Sequence, residues 1–176
     1  MEKRTKTRFI IFQILMEVNK KNKNFEEIFD LETKKLNLEP IDKSFIFNVC
    51  LNTMRYNLHS KLILKKFVRK KLKTAQFVLL SSAITQIVYL NIKPYGVVNE
   101  TVNTSKKIGL FPSFVNAILN NVVKEKKKLQ KIKVSKKDLP LWFQNEYKAT
   151  NNLDLNILLP EKLIFFTTAF LLSVIL

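Results

Sequence analysis

Residues 94–123 read PYGVVNETVNTSKKIGLFPSFVNAILNNVV, and this stretch decides the fold. Val97, Val98, Thr101, Val102 and Ile108 recur at helical spacing. Gly109 then ends the first helix, because glycine enters the left-handed region that closes a helix at no steric cost. Pro112 suits the first turn of a second helix, where a missing N–H costs nothing. Phe114, Val115, Ile118, Leu119, Val122 and Val123 make one wide apolar stripe on it. Two amphipathic helices joined by a Gly/Pro turn need a core to bury them.

Immediately before this hairpin, AQFVLLSSAITQIVYL (75–90) is apolar nearly all the way round, as a buried central helix is. It is too short, and too interrupted by Ser81, Ser82, Thr85 and Gln86, to cross a bilayer of about 30 Å. Further back, KLILKKFVRKKLK (61–73) predicts a fourth helix with a strongly basic face formed by Lys65, Lys66, Arg69, Lys70, Lys71 and Lys73. A third helix through SFIFNVCLNTMRY takes Asp42 as its N-cap and carries Phe45, Ile46, Val49, Cys50 and Met54 as a stripe. A second spans Phe25 to Leu36, and a first spans 5–19 with Phe9, Ile10, Phe12, Ile14, Leu15 and Val18 inward. Lys3, Arg4, Lys6 and Arg8 crowd the start of that first helix, where cations oppose the helix dipole unless a partner such as a phosphate backbone rewards them.

Composition agrees with an all-α chain. Two glycines and five prolines supply few of the tight turns that many short strands require. At 176 residues and 47% hydrophobic, one domain with extensions is the expectation. A formal charge of +17 points to a polyanion, either nucleic acid or an anionic membrane surface. The richness in Lys, Asn, Ile and Phe, all read from A/T-rich codons, is a second source of lysine, so the clustering of charge carries more weight than its total.

The single cysteine, Cys50, excludes an internal disulfide, fits a reducing compartment and reads as a core residue without an activating neighbour. One histidine, His59, with no cysteine or carboxylate cluster nearby makes no metal site. The N-terminal apolar stretch is interrupted by Gln13 and Glu17 and lacks a cleavage site, which places the body of the protein in the cytoplasm.

Beyond the hairpin, KEKKKLQKIKVSKK (124–137) reads as a frayed helix end and a solvated linker, and LPLWFQNEY (139–147) as the start of a new element. The last stretch, LIFFTTAFLLSVIL (163–176), is apolar but shorter than the roughly 20 residues of a spanning helix. Its expected reading is the abnormal end of a truncated or frame-shifted chain, with a membrane tail anchor as the alternative.

With these residues in hand, the chain resembles the NusB/RsmB family of helical RNA-binding domains. Pro94, Val98, Asn99, Glu100, Thr101 and Val102, followed by Phe114, Val115, Asn116, Ala117, Ile118 and Leu119, are similar to the family's "VNEaV... FVNavL" signature. Asp42, Phe45 and the triplet Thr53, Met54, Arg55 resemble its "D..f...l..gtlR" element, and Arg8 falls where the family has an arginine in its first helix. The resemblance covers residues 4 to about 128 and implies a NusB-like bundle of about seven helices. LPLWFQNEY is similar to the segment that joins this domain to the catalytic part of RsmB-type enzymes, which methylate cytosine C5 of small-subunit ribosomal RNA with S-adenosylmethionine.

The resemblance therefore implies a helical RNA-binding domain over 1–128, a linker over 129–150 and an aberrant tail over 151–176. It implies RNA as partner, a ribosomal protein as a further one, and the membrane only as an outside alternative. Catalysis is not expected. Gly96 and Gly109, the only glycines, both sit in hairpin turns and leave no glycine-bearing loop for a cofactor, and Cys50 lies in the helical domain. The competing functional reading is a NusB-like transcription antitermination factor acting on nascent RNA. Lys3, Arg4, Lys6, Arg8, Lys65, Lys66, Arg69, Lys70, Lys71 and Lys73 are the expected phosphate contacts. Asp42, Arg55, Asn99, Glu100 and Asn116 are the family-motif positions. Glu100 is expected to pair with a cation from another helix, with Arg55 as the candidate, and direct RNA contact by Asn99 is the alternative use of that turn.

Overall fold

The computed structural model describes residues 3–21, 24–139 and 141. Seven α-helices follow one another: α1 (Lys3–Lys21), α2 (Phe25–Lys34), α3 (Pro40–Arg55), α4 (Asn57–Phe67), α5 (Thr74–Ile84), α6 (Pro94–Lys107) and α7 (Pro112–Leu129). A π-helical turn, Thr85–Tyr89, extends α5, and a short 3-10 turn, Lys136–Asp138, follows α7. Among the described residues there is no strand. The expectation of an all-α bundle of about seven helices holds.

α5 is the buried centre that its sequence predicts: every residue from Val78 to Val88 is buried. α1 lies beside it and touches α2, α3, α5 and α6. Ile10, Ile11, Ile14, Leu15 and Val18 recur at the three- and four-residue steps of one helical face, and all are buried there. The α6–α7 hairpin packs across both. Pro94 and Pro112 each stand in the first turn of their helices, and Gly109 takes φ 70 between them. Val115, Ile118, Leu119 and Val122 are buried on α7 as expected, with Phe114 and Val123 at the margin.

Three boundaries differ from the sequence reading. α3 begins at Pro40 rather than after an Asp42 cap, with Glu39 in the capping position. Proline's fixed φ is already helical, so the helix starts three residues earlier and Asp42 sits in its first turn, where a carboxylate still complements the dipole.

α4 stops at Phe67, and residues 68–73 leave the helix, Val68 being extended at φ −129, ψ 117. A continued helix would stack Lys65 on Arg69 and Lys66 on Lys70 at i,i+4, and each like-charge pair is unfavourable by a few tenths of a kcal/mol. The extended run instead lets Val68 and Leu72 rest against the core while the cations point out. Gln76 then closes the start of α5, its Oε1 accepting from the Lys73 N–H at 2.9 Å.

α7, by contrast, runs through KEKKKL to a fully buried Leu129. Its last turns are tied to the end of the π-helical turn. The Gln130 side-chain amide donates to the Val88 carbonyl at 2.8 Å, and Lys126 Nζ donates to Asn91 Oδ1 at 2.7 Å. Leu139 is also buried, so the stretch after α7 does not leave the body as a purely solvated linker. Most of LPLWFQNEY and the whole apolar tail 163–176 lie outside the described residues. Among the described residues, no helix is long and apolar enough to cross a membrane.

Candidate nucleic-acid interface

Four polar residues of α6 face inward. Glu100, Thr101, Thr104 and Ser105 are all buried. The three hydroxyls cost little there, because each donates to a carbonyl of its own helix at 2.6 to 2.8 Å. Glu100 needs a cation and has one: its Oε2 lies 3.2 Å from Arg8 Nε, with the side chains 6% and 12% exposed. The Arg8 guanidinium also stands 4.8 Å from the centre of the Phe45 ring. This corrects the expected partner. Arg8 on α1, not Arg55 on α3, holds Glu100, and the same geometry places the Arg8 side chain in the α1–α6 interface.

The family-motif positions thus divide. Glu100 is a packing charge and Asp42 supports the start of α3, whereas Asn99 and Asn116 are exposed and Arg55 is half-buried. Asn116 accepts from Asn120 one turn on, at 3.2 Å. Cys50 is completely buried, and burial pushes its thiol far above the usual range, as its core reading requires.

The exposed cations gather elsewhere. The C-terminal half of α1, α4, the extended run 68–73 and the first turns of α5 enclose a groove of about 790 Å³. Lys20, Lys61, Lys65, Arg69, Lys70 and Lys71 line it, over a floor that includes Met16, Leu64, Val68, Leu72 and Phe77. Among the described residues, no acidic one lines it. Two of the cations feel a neighbouring carboxylate. Lys20 lies 3.5 Å from Glu17, and Lys65 is close enough to Asp138 to help hold that carboxyl below its ordinary range, behind the larger effect of hydrogen bonds from Ser135. Lys61, Arg69, Lys70 and Lys71 form no ion pair among the described residues, which leaves a concentrated positive field.

Of the expected phosphate contacts, Lys65, Arg69, Lys70 and Lys71 come together here. Lys66, Lys73 and Lys6 are exposed but do not line the groove. The side chains of Lys3 and Arg4 lie outside the described residues. The N-terminal basic run also sits at the other end of α1: Arg8 and Lys20 are separated by about 18 Å of helix axis at 1.5 Å per residue. Sequence reasoning missed Lys20 and Lys61. Lys20 lies in the polar run after the apolar face of α1 and Lys61 in the first half of α4, and the packing of α1 and α4 on α5 brings them to the groove.

A second depression, of about 530 Å³, flanks the other side of Met16 and Lys20. Phe9, Phe12 and Ile108 line it, but its charges are mixed, Glu17 and Glu32 facing Lys20 and Lys107. Among the described residues, no three His, Cys, Asp or Glu side chains come together to hold a metal ion.

A comparison with curated proteins returns no match to the chain. The family model described as the NusB family matches residues 5–124, the span that runs from the first turn of α1 nearly to the end of α7 and contains both the Arg8–Glu100 pair and the basic groove. The chain belongs to the NusB family.

Proposed function

We propose that this chain is an RNA-binding domain without catalytic activity of its own, and that the basic groove is where RNA lies. The observation that carries this reading is the lining of the groove: six cations, no acid among the described residues, and an apolar floor. Cations at that density supply affinity for a phosphate backbone through counterion release, and the floor gives unpaired bases a surface to rest on.

Within the family, the reading we favour is kinship with the helical domain of RsmB-type ribosomal RNA cytosine-C5 methyltransferases. Its support is the likeness of LPLWFQNEY (139–147) to the segment that follows this domain in those enzymes. A NusB-like antitermination factor, acting on nascent RNA with a ribosomal protein, is the second reading, and the NusB family match over residues 5–124 fits both. Both use the same groove. In either case, residues 1–128 are the binding domain and the protein acts in the cytoplasm.

The test is a titration of labelled single-stranded RNA at several salt concentrations. The expected result is a linear fall of log affinity against log salt, with a slope of about −0.7 for each phosphate neutralised. Competition between ribosomal-RNA and leader-RNA fragments then separates the two family readings. Absence of binding at low salt would overturn the RNA reading itself.

A further inference from the structure

At its inner end the basic groove narrows into a notch. Asn19, Asn57 and Phe77 line both the groove and the notch, and Thr53 and Ser81 lie deeper. The notch itself has room for about one water, 20 Å³.

Thr33, Thr53, Ser82, Thr101, Thr104 and Ser105 all return their hydroxyls to a carbonyl one turn back. Ser81, 1% exposed on α5, does not: its Oγ is buried without a hydrogen-bond partner, as are the hydroxyls of Ser60, Thr85 and Tyr89, but of these four residues Ser81 alone lines the notch. Asn57, only 6% exposed, makes no side-chain hydrogen bond among the described residues either. Buried polar groups normally find partners, so an unpartnered hydroxyl at the end of a groove, beside a carboxamide that the fold leaves unengaged, marks a place where something else supplies them.

We propose that the notch is a nucleobase subsite of the RNA groove, an inference that rests on the RNA reading above. One unpaired base lies along Phe77, and its polar edge enters the notch and meets the Asn57 carboxamide and the Ser81 hydroxyl. Lys61, Lys65, Lys70 and Lys71 hold the flanking phosphates. The carboxamide offers both a donor and an acceptor, as does the hydroxyl, so the pair can discriminate between base edges where phosphate contacts cannot. The subsite therefore gives the domain a base preference at one position on top of sequence-neutral affinity.

The experiment compares short homopolymers of uridine, cytidine and adenosine, about eight nucleotides long, against the wild-type chain and Ser81→Ala at several salt concentrations. In the wild type, one base is preferred by about tenfold. Ser81→Ala removes a hydroxyl that has no partner, so the fold stays intact, the salt slope stays the same and the preference falls to under about threefold. Asn57→Asp, which removes the amide donor, alters which base is preferred. Binding that is salt-dependent but equal for all three homopolymers, or a preference that survives Ser81→Ala with melting temperature unchanged, would overturn the subsite while leaving the RNA reading in place. No binding of any homopolymer at low salt would overturn both.

Discussion

Two clusters of charge on this molecule have opposite fates. At the N-terminal half of α1, Arg8 is turned inward, paired with Glu100 and laid against Phe45. At the far end of the same helix, Lys20 joins Lys61, Lys65, Arg69, Lys70 and Lys71 around an open groove with no acid in its lining among the described residues. The first cluster is neutralised and buried and holds α1 to α6. The second is exposed and only partly compensated, by Glu17 beside Lys20 and Asp138 near Lys65, so it suits a partner that brings its own negative charge. Sequence proximity grouped Arg8 with the binding residues; burial of its partner separates it from them.

The comparison breaks first at the buried pair. Glu100→Ala leaves the Arg8 guanidinium without its carboxylate in a buried interface, and removing one partner of such a pair costs about 3–5 kcal/mol. Arg8→Ala acts similarly, whereas Arg55→Ala changes stability by about 0.5 kcal/mol or less. Urea unfolding of the three variants measures this, and equal losses for Arg55→Ala and Arg8→Ala would restore the pairing that the sequence suggested.

Next in size is Gly109→Ala. A Cβ there meets nothing within 4 Å, so its cost comes from the left-handed backbone at φ 70 alone, about 1–2 kcal/mol. Thermal unfolding reads that directly.

A smaller effect comes from His59, which lies edge-on to both Tyr56 and Tyr89, themselves stacked at 3.7 Å. Burial holds its pKa below the ordinary 6.5. The folded state thus favours the neutral ring, and its contribution is complete above pH 6.5 and lost as pH falls from there through the lower folded value. Stability measured against pH shows this decline, and His59→Gln flattens it. The smallest effect on stability belongs to the groove: a combined Arg69→Ala, Lys70→Ala, Lys71→Ala variant melts within about 0.5 kcal/mol of wild type, because these side chains are exposed.

The hairpin and the central helix were legible because their signals are local. The spacing of Val115, Ile118, Leu119 and Val122, the prolines at 94 and 112 and the glycine at 109 each act within a turn or two, and α5 declares its burial by lacking a polar face. Three features depended on partners distant in the chain. Glu100 reads as a charge among valines until α1 is laid across α6. The lysine run 124–128 reads as frayed until Leu129 finds the core and Lys126 and Gln130 reach the end of the π-helical turn. The run 68–73 keeps an apolar period that suits a helix, and only the crowding of like charges and the path to α5 explain why it is extended. For the site, Lys65, Arg69, Lys70 and Lys71 were legible as a dense basic run. Lys20, Lys61, Asn57 and Ser81 were not, since tertiary packing alone assembles them.

The central claim is that the groove, and not the N-terminal arginine, holds RNA. The most direct measurement is the salt dependence of RNA binding by the Arg69→Ala, Lys70→Ala, Lys71→Ala variant beside the wild type. If all three cations neutralise phosphates, the slope of log affinity against log salt becomes shallower by about 2, at about 0.7 per contact, with the fold intact. An unchanged slope in a correctly folded variant would contradict the account.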